Sequence, residues 1–163
     1  MLLHDKSGTR LVIGWREWVS LPTLHLPVIK AKVDTGAKTS SLHALDIETF
    51  SEKGITRVRF TVLPLQGRRD VRVVCTADVV DHRVVSDSGG HREKRYVIEA
   101  PVVLGGYEFP IEITLANRDT MSFRMLFGRS AMTSFLVEPN QSFLLGQPHS
   151  PAAAYRKINR KRL

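Results

Sequence analysis

Cysteine is almost missing from this chain. Cys75 stands alone among 163 residues. A single thiol excludes an internal disulfide and fits a reducing compartment, so a cytoplasmic location is expected. Cys75 itself reads as a small apolar strand residue rather than a nucleophile. Long apolar runs are missing too. No stretch approaches the roughly 18 residues of a membrane helix, and no basic-then-apolar leader opens the chain, so no membrane association is expected. No segment sustains a helical period. There is no G-x-x-x-x-G-K-[ST] loop for ATP, no H-E-x-x-H, and no zinc-finger spacing. Acidic residues are outnumbered, 16 against 24 Lys and Arg, for a net charge of +8. Such an excess suggests acidic company: nucleic acid, the ribosome or an acidic peptide. Much of it lies in Arg156-Lys157-Ile158-Asn159-Arg160-Lys161-Arg162. That run has no interleaved aromatics to stack bases and reads as a solvated end.

What is present is β-structure. Residues 11–19 and 28–34 read as strands separated by Pro22 and Pro27, and 40–47 as a third. Residues 57–62 alternate cleanly, with Val58, Phe60 and Val62 facing inward. Residues 71–85 form one long bent strand or two. Residues 96–104, interrupted by Pro101, and 109–115 flank a hairpin turn at Gly105-Gly106. Residues 123–127 form a short apolar strand, 128–134 a short helix, and 135–137 and 142–144 closing strands. Many short strands with turn signals between them predict an all-β barrel or sandwich. The length allows one domain, assigned to 1–147, followed by a basic tail over 148–163.

Val33-Asp34-Thr35-Gly36-Ala37 is the segment with chemistry in it. Ile29, Ala31 and Val33 fall on one face of the strand before it, and Lys30 and Lys32 on the other. Asp34 therefore ends a rigid element, as an aspartic peptidase presents its catalytic acid. A strand ending in a common turn tripeptide is the plainer alternative. Far downstream, Met125-Leu126-Phe127-Gly128-Arg129 offers two bulky residues before a glycine. Such a strand can pack beneath an Asp loop, its glycine letting the backbones approach.

The longer string Ile29-Lys30-Ala31-Lys32-Val33-Asp34-Thr35-Gly36-Ala37-Lys38-Thr39-Ser40-Ser41-Leu42-His43-Ala44, with Val12-Ile13-Gly14-Trp15-Arg16-Glu17, Arg83-Val84-Val85-Ser86-Asp87-Ser88-Gly89-Gly90-His91 and Arg124-Met125-Leu126-Phe127-Gly128-Arg129, resembles the retropepsin-like aspartic peptidases labelled ATP-dependent zinc proteases (RimB-like). The resemblance covers about residues 10–146. It implies a closed retropepsin barrel used as a homodimer, and an aspartic endopeptidase with one catalytic Asp34 per subunit. Two such carboxylates share a proton across the interface. Thr35, Gly36, Ala37 and Lys38 would support the loop and line the cleft, and Leu126, Phe127, Gly128 and Arg129 would form the strand beneath it. The resemblance also implies a link to an ATP-grasp ligase that adds glutamates to a ribosomal protein. Lys38 would suit an acidic or glutamate-rich peptide substrate. Viral relatives carry an acidic residue after D-T-G-A; here Lys38 and Thr39 follow, so Arg129 must pair elsewhere, with Asp46 or Glu48 as candidates.

Asp87-Ser88-Gly89-Gly90 could be a second acid loop of a monomeric enzyme. The separation from Asp34 is too short for two lobes, so this segment reads as the tip of a flap hairpin over the cleft. His43, His82 and His91, with Asp81 or Asp87, are the available zinc ligands. They lack a metal-site spacing, so no metal or cofactor is expected. Two other functions stay open: a non-catalytic binding module of the ligase or ribosome, and a zinc peptidase.

Overall fold

The computed structural model describes residues 10–87, 89–117 and 122–161. Eleven strands dominate them: β1 Leu11–Ile13, β2 Arg16–Leu21, β3 Leu26–Val33, β4 Ser40–His43, β5 Leu45–Glu52, β6 Ile55–Val62, β7 Val73–Ser86, β8 Arg92–Leu104, β9 Tyr107–Ala116, β10 Met125–Phe127 and β11 Phe135–Val137. One α-helix, α1 Pro151–Lys161, follows them. The chain is mostly β, as the alternation predicts.

Nine strands pair in the order β2-β3-β10-β4-β9-β8-β7-β6-β5, and β1 pairs with β11 in a separate parallel ribbon. One further pairing, Ser20 with Val103, joins β2 back to β8. The faces turned inward carry one apolar cluster, with Phe60, Phe127, Leu21, Ile29, Leu42 and Ile113 almost fully enclosed. The period-two reading holds where it was clearest. Ile29, Ala31 and Val33 are buried while Lys32 is exposed, and Val58, Phe60 and Val62 are buried. Gly105-Gly106 makes the β8–β9 turn, with φ 59° and 82°.

Several elements differ from expectation, each for a local reason. Residues 11–19 split into β1 and β2 at Gly14-Trp15. There the chain turns to Gln141: the Trp15 N–H donates to its carbonyl at 2.9 Å, and a Cβ on Gly14 would lie 2.2 Å from that oxygen. Pro101 does not interrupt β8. It faces Pro110 of β9, and two opposed prolines fit a position where the ladder asks for no N–H. The helix expected at 128–134 is a single 3-10 turn, Arg129–Ala131. Residues 142–144 form no strand; the Phe143 N–H donates to the Arg16 carbonyl at 3.0 Å, and the Leu144 N–H to the carboxylate of Glu17, described below.

The α-helix lies where a tail was expected. Pro151 suits the first helical position, and Ser150 Oγ accepts from the Ala153 N–H at 3.3 Å, a serine cap before an alanine run. Tyr155 is buried against the sheet, and its hydroxyl donates to the Val28 carbonyl. Helical propensity and one aromatic anchor outweigh the polar composition.

Candidate active site

β3 carries Asp34 to its place. The Val33 N–H donates to the Trp15 carbonyl at 2.8 Å, and the Asp34 N–H donates to the Phe127 carbonyl at 2.9 Å. β10 is the strand beneath. It runs parallel to β3, with Phe127 opposite Val33, and antiparallel to β4, with Leu126 opposite Ser41. A segment far away in sequence is thus inserted between the two strands that bracket the Asp34 loop. Met125 and Phe127 are buried in the core and hold β10 there.

The loop is bonded to the residues after β10 along most of its length. The Arg129 N–H donates to the Ala37 carbonyl at 2.8 Å and the Ser130 N–H to the Lys38 carbonyl at 2.9 Å. The Gly128 N–H donates to Ser40 Oγ at 3.0 Å. The Arg129 guanidinium reaches back to donate from Nη1 to the Thr35 carbonyl at 2.9 Å. These contacts need the backbones to touch. A Cβ on Gly128 would lie 2.5 Å from the Thr39 carbonyl carbon and 2.8 Å from the Ser40 nitrogen, distances no side chain tolerates.

Within this frame the Asp34 carboxylate is oriented by its own turn. Its Oδ1 accepts from the Gly36 N–H at 2.9 Å, and the Ala37 N–H donates to the Asp34 carbonyl at 3.3 Å. A Cβ on Gly36 would stand 3.1 Å from that same Oδ1, so glycine there keeps the carboxylate uncrowded. Asp34 and Ala37 are half-buried, and Thr35, Gly36 and Lys38 are exposed. The result is a fixed carboxylate on a rigid edge, with its neighbouring threonine presented outward.

Arg129 does not pair with Asp46 or Glu48, the candidates from sequence. Glu48 binds Arg59 at 3.1 Å and Asp46 lies 3.7 Å from Arg72. A backbone carbonyl takes the place of the acidic partner, which explains why Lys38 and Thr39 can follow the motif.

Asp87 sits at the tip of the β7–β8 hairpin; Ser88 lies outside the described residues. Asp87 Oδ1 accepts from the N–H groups of Gly89 and His91, each at 2.9 Å, and the Asp87 N–H donates to the His91 carbonyl at 2.9 Å. Gly90 has φ 81° and its N–H donates to the Asp87 carbonyl at 3.1 Å. This carboxylate closes a turn. The imidazoles are scattered: His43 is buried in β4, His82 stacks on Tyr96 with ring centres 4.2 Å apart, and His91 is at the tip. Asp81 accepts from the His82 N–H at 2.7 Å and from Arg83 at 2.9 Å, and these two, in that order, hold its carboxyl below the usual range. Among the described residues no three His, Cys, Asp or Glu converge as a metal site.

Two contributors were not anticipated. Ser40 closes the loop onto Gly128. Glu17, on the inward parity of β2 with Val19 and Leu21, is buried. Its Oε2 accepts from the Gly14 and Leu144 N–H groups at 2.7 and 3.0 Å, and its Oε1 from the Leu145 N–H at 3.1 Å. A carboxylate on the apolar side of an alternating strand was the available signal.

Comparison with known proteins gives the chain a family. The family model described as "retropepsin-like aspartic endopeptidase RimB" matches residues 12–148. The chain belongs to this RimB-like family. A protein of Shewanella halifaxensis named "probable alpha-L-glutamate ligase" is 46% identical over 142 residues, 86% of this chain and 31% of that protein. One of the same name from Desulfotalea psychrophila is 45% identical over 149 residues, 90% of this chain and 32% of that protein. The chain thus spans about a third of the length of these relatives. Among solved structures, Lpg0085 of Legionella pneumophila, described as of unknown function, superposes with a TM-score of 0.69. It is 28% identical and covers 83% of this chain and 98% of its own.

Proposed function

We propose that this RimB-like chain is an aspartic endopeptidase of retropepsin type, active as a homodimer with one Asp34 from each subunit. The observation that carries this reading is the clamp: β10 and the residues after it bind both legs of the Asp34 loop and leave Asp34, Thr35 and Gly36 at an outer edge. The Ser20–Val103 pairing supports a sheet closed into a barrel behind them. Two carboxylates brought together at a two-fold axis cannot both ionise easily, so they share a proton and titrate as a unit. The ionised one takes a proton from water as that water attacks the peptide carbonyl. The protonated one donates to the carbonyl oxygen, and the tetrahedral intermediate then expels the amine. Thr35 secures the two loops to each other, Gly36 and Lys38 meet substrate, and the β7–β8 hairpin, whose outer half is largely exposed, serves as the flap.

The relatives' names support a setting beside a glutamate ligase, with the ribosome and an acidic peptide as candidate partners in the cytoplasm. The same observation favours a second reading. A module matching one third of a ligase could regulate that enzyme without cutting anything. Purified chain and its Asp34→Asn form, assayed on glutamate-rich and neutral peptides with and without chelator, separate the readings. Cleavage that disappears in Asp34→Asn and ignores chelator is expected. Cleavage unaffected by the substitution overturns the peptidase assignment.

A further inference from the structure

The outward face of β2 and β3 is a cluster of cations laid on aromatic rings. Arg16 lies opposite Lys32 and Trp18 opposite Lys30 across the two strands. The Arg16 guanidinium sits 4.6 Å from the Trp15 ring centre and 4.8 Å from that of Phe143; Lys30 Nζ sits 5.8 Å from Trp18 and 5.6 Å from Phe123. Among the described residues no carboxylate pairs with Arg16, Lys30 or Lys32, although other arginines of the chain are paired. Like charges set directly across a ladder are unfavourable. Partial burial, and then Arg16, push the Lys30 ammonium below its usual lysine range. The cluster is therefore positive, with Arg16 and Lys30 half-buried, Lys32 exposed, and no paired carboxylate among the described residues. Beside it opens a pocket of about 240 Å³ whose lining includes Trp18, Lys30, Pro64, Leu65, Arg68 and Pro151.

We propose that the Arg16–Lys30–Lys32 face and its adjoining pocket are an exosite for an acidic peptide segment, carboxylates meeting the three cations and an apolar side chain entering the pocket. Charge decides the sign of the ligand, on a chain of net +8. The rings decide its kind. Trp18 stacks on Phe143 with centres 6.1 Å apart, Trp15 meets Phe123 edge-on at 5.8 Å, and the cations cover further faces. Bases of a nucleic acid would find the rings already engaged. The mostly apolar pocket suits a side chain better than a phosphate. Lys30 lies in β3 four residues before Asp34, which follows the strand's end, about 13 Å at the usual rise, so the surface would hold substrate at a distance from the reacting carboxylate. It extends the peptidase reading but does not depend on the chemistry of Asp34.

The chain's only two tryptophans, Trp15 and Trp18, are both in the cluster, so their emission reports occupancy directly. The full chain carrying Asp34→Asn is titrated with an unlabelled decapeptide of alternating glutamate and leucine, with its glutamine counterpart, and with an oligouridylate of ten nucleotides. The acidic peptide should change the emission saturably, with the glutamine peptide about tenfold weaker or worse, as expected when complementary charge is lost. Lys30→Gln with Lys32→Gln should weaken the acidic peptide by about tenfold, and Lys32→Gln alone, at an exposed position that folding does not need, by about threefold. In Asp34-intact protein the double variant should raise KM for acidic substrates and leave kcat unchanged. Absence of saturable change, binding indifferent to the lysine substitutions, or tighter binding of oligouridylate than of the acidic peptide overturns the exosite. Cleavage of neutral peptides by wild-type protein would be unaffected by any of those failures, and binding by Asp34→Asn would be unaffected by a failure of the peptidase reading.

Discussion

Asp34 and Asp87 carry the same local motif and meet different fates. Each begins an Asp-hydroxyl-Gly tripeptide, and each accepts the N–H two residues on at 2.9 Å. Up to that hydrogen bond the two loops are the same object. Beyond it they diverge. The Asp34 loop is bonded to residues about ninety positions away through Phe127, Gly128, Arg129 and Ser130. The Asp87 carboxylate accepts from Gly89 and His91 of its own turn, and the Asp87 and Gly90 N–H groups close that turn on the His91 and Asp87 carbonyls. A short acid motif thus becomes a candidate catalytic element through its tertiary support.

The largest contrast should come from the acids themselves. Asp34→Asn should lower peptide cleavage by about a thousandfold or more, as loss of a general acid–base group does, while Asp87→Asn should stay within about threefold. Comparable losses from both would erase the distinction. Next is the support. Gly128→Ala forces a methyl into the Thr39 and Ser40 backbone and should cost about 3 kcal/mol in denaturant unfolding, whereas Gly89→Ala, whose added carbon comes nearest to the His91 imidazole at 3.3 Å, should cost under about 1 kcal/mol. Arg129→Ala comes third. It leaves the backbone bonds of the loop and removes only the reach to the Thr35 carbonyl, so kcat should fall about tenfold with an exposed-site stability loss of about 1 kcal/mol.

The smallest effect concerns acid. The Asp81 carboxyl, in β7 below the tip of the β7–β8 hairpin, is held below its usual range by the His82 N–H and then by Arg83. A depressed folded pKa favours the folded hairpin above the ordinary carboxyl range, and that contribution disappears as pH falls through the depressed value. Amide exchange at His82, corrected for intrinsic rate, should therefore accelerate at low pH in wild-type protein and be pH-flat in Asp81→Asn.

Much of the β-framework was legible because its signal is local. Alternation at Ile29–Val33 and Val58–Val62 marked strand faces, and the two glycines at 105 and 106 marked a turn. The D-T-G string and the Leu126-Phe127-Gly128 run were each visible, and their pairing followed from resemblance. What the sequence concealed was set at a distance. The carbonyl that receives Arg129, the hydroxyl of Ser40 on Gly128, and the three amides gathered by Glu17 depend on segments far apart in the chain. The tail misled for a different reason: its basic composition hid a capped alanine-rich helix pinned by Tyr155.

The central claim is that one Asp34 is half a site, and subunit mixing tests it most directly. Wild-type and Asp34→Asn chains are unfolded together, refolded at a fixed total concentration, and assayed for peptide cleavage. If each site needs Asp34 from two subunits, an equal mixture should retain about a quarter of the all-wild-type rate, the share of dimers with two intact acids. A rate that falls only in proportion to the wild-type fraction, to about half, would mean that each chain acts alone and would contradict the account.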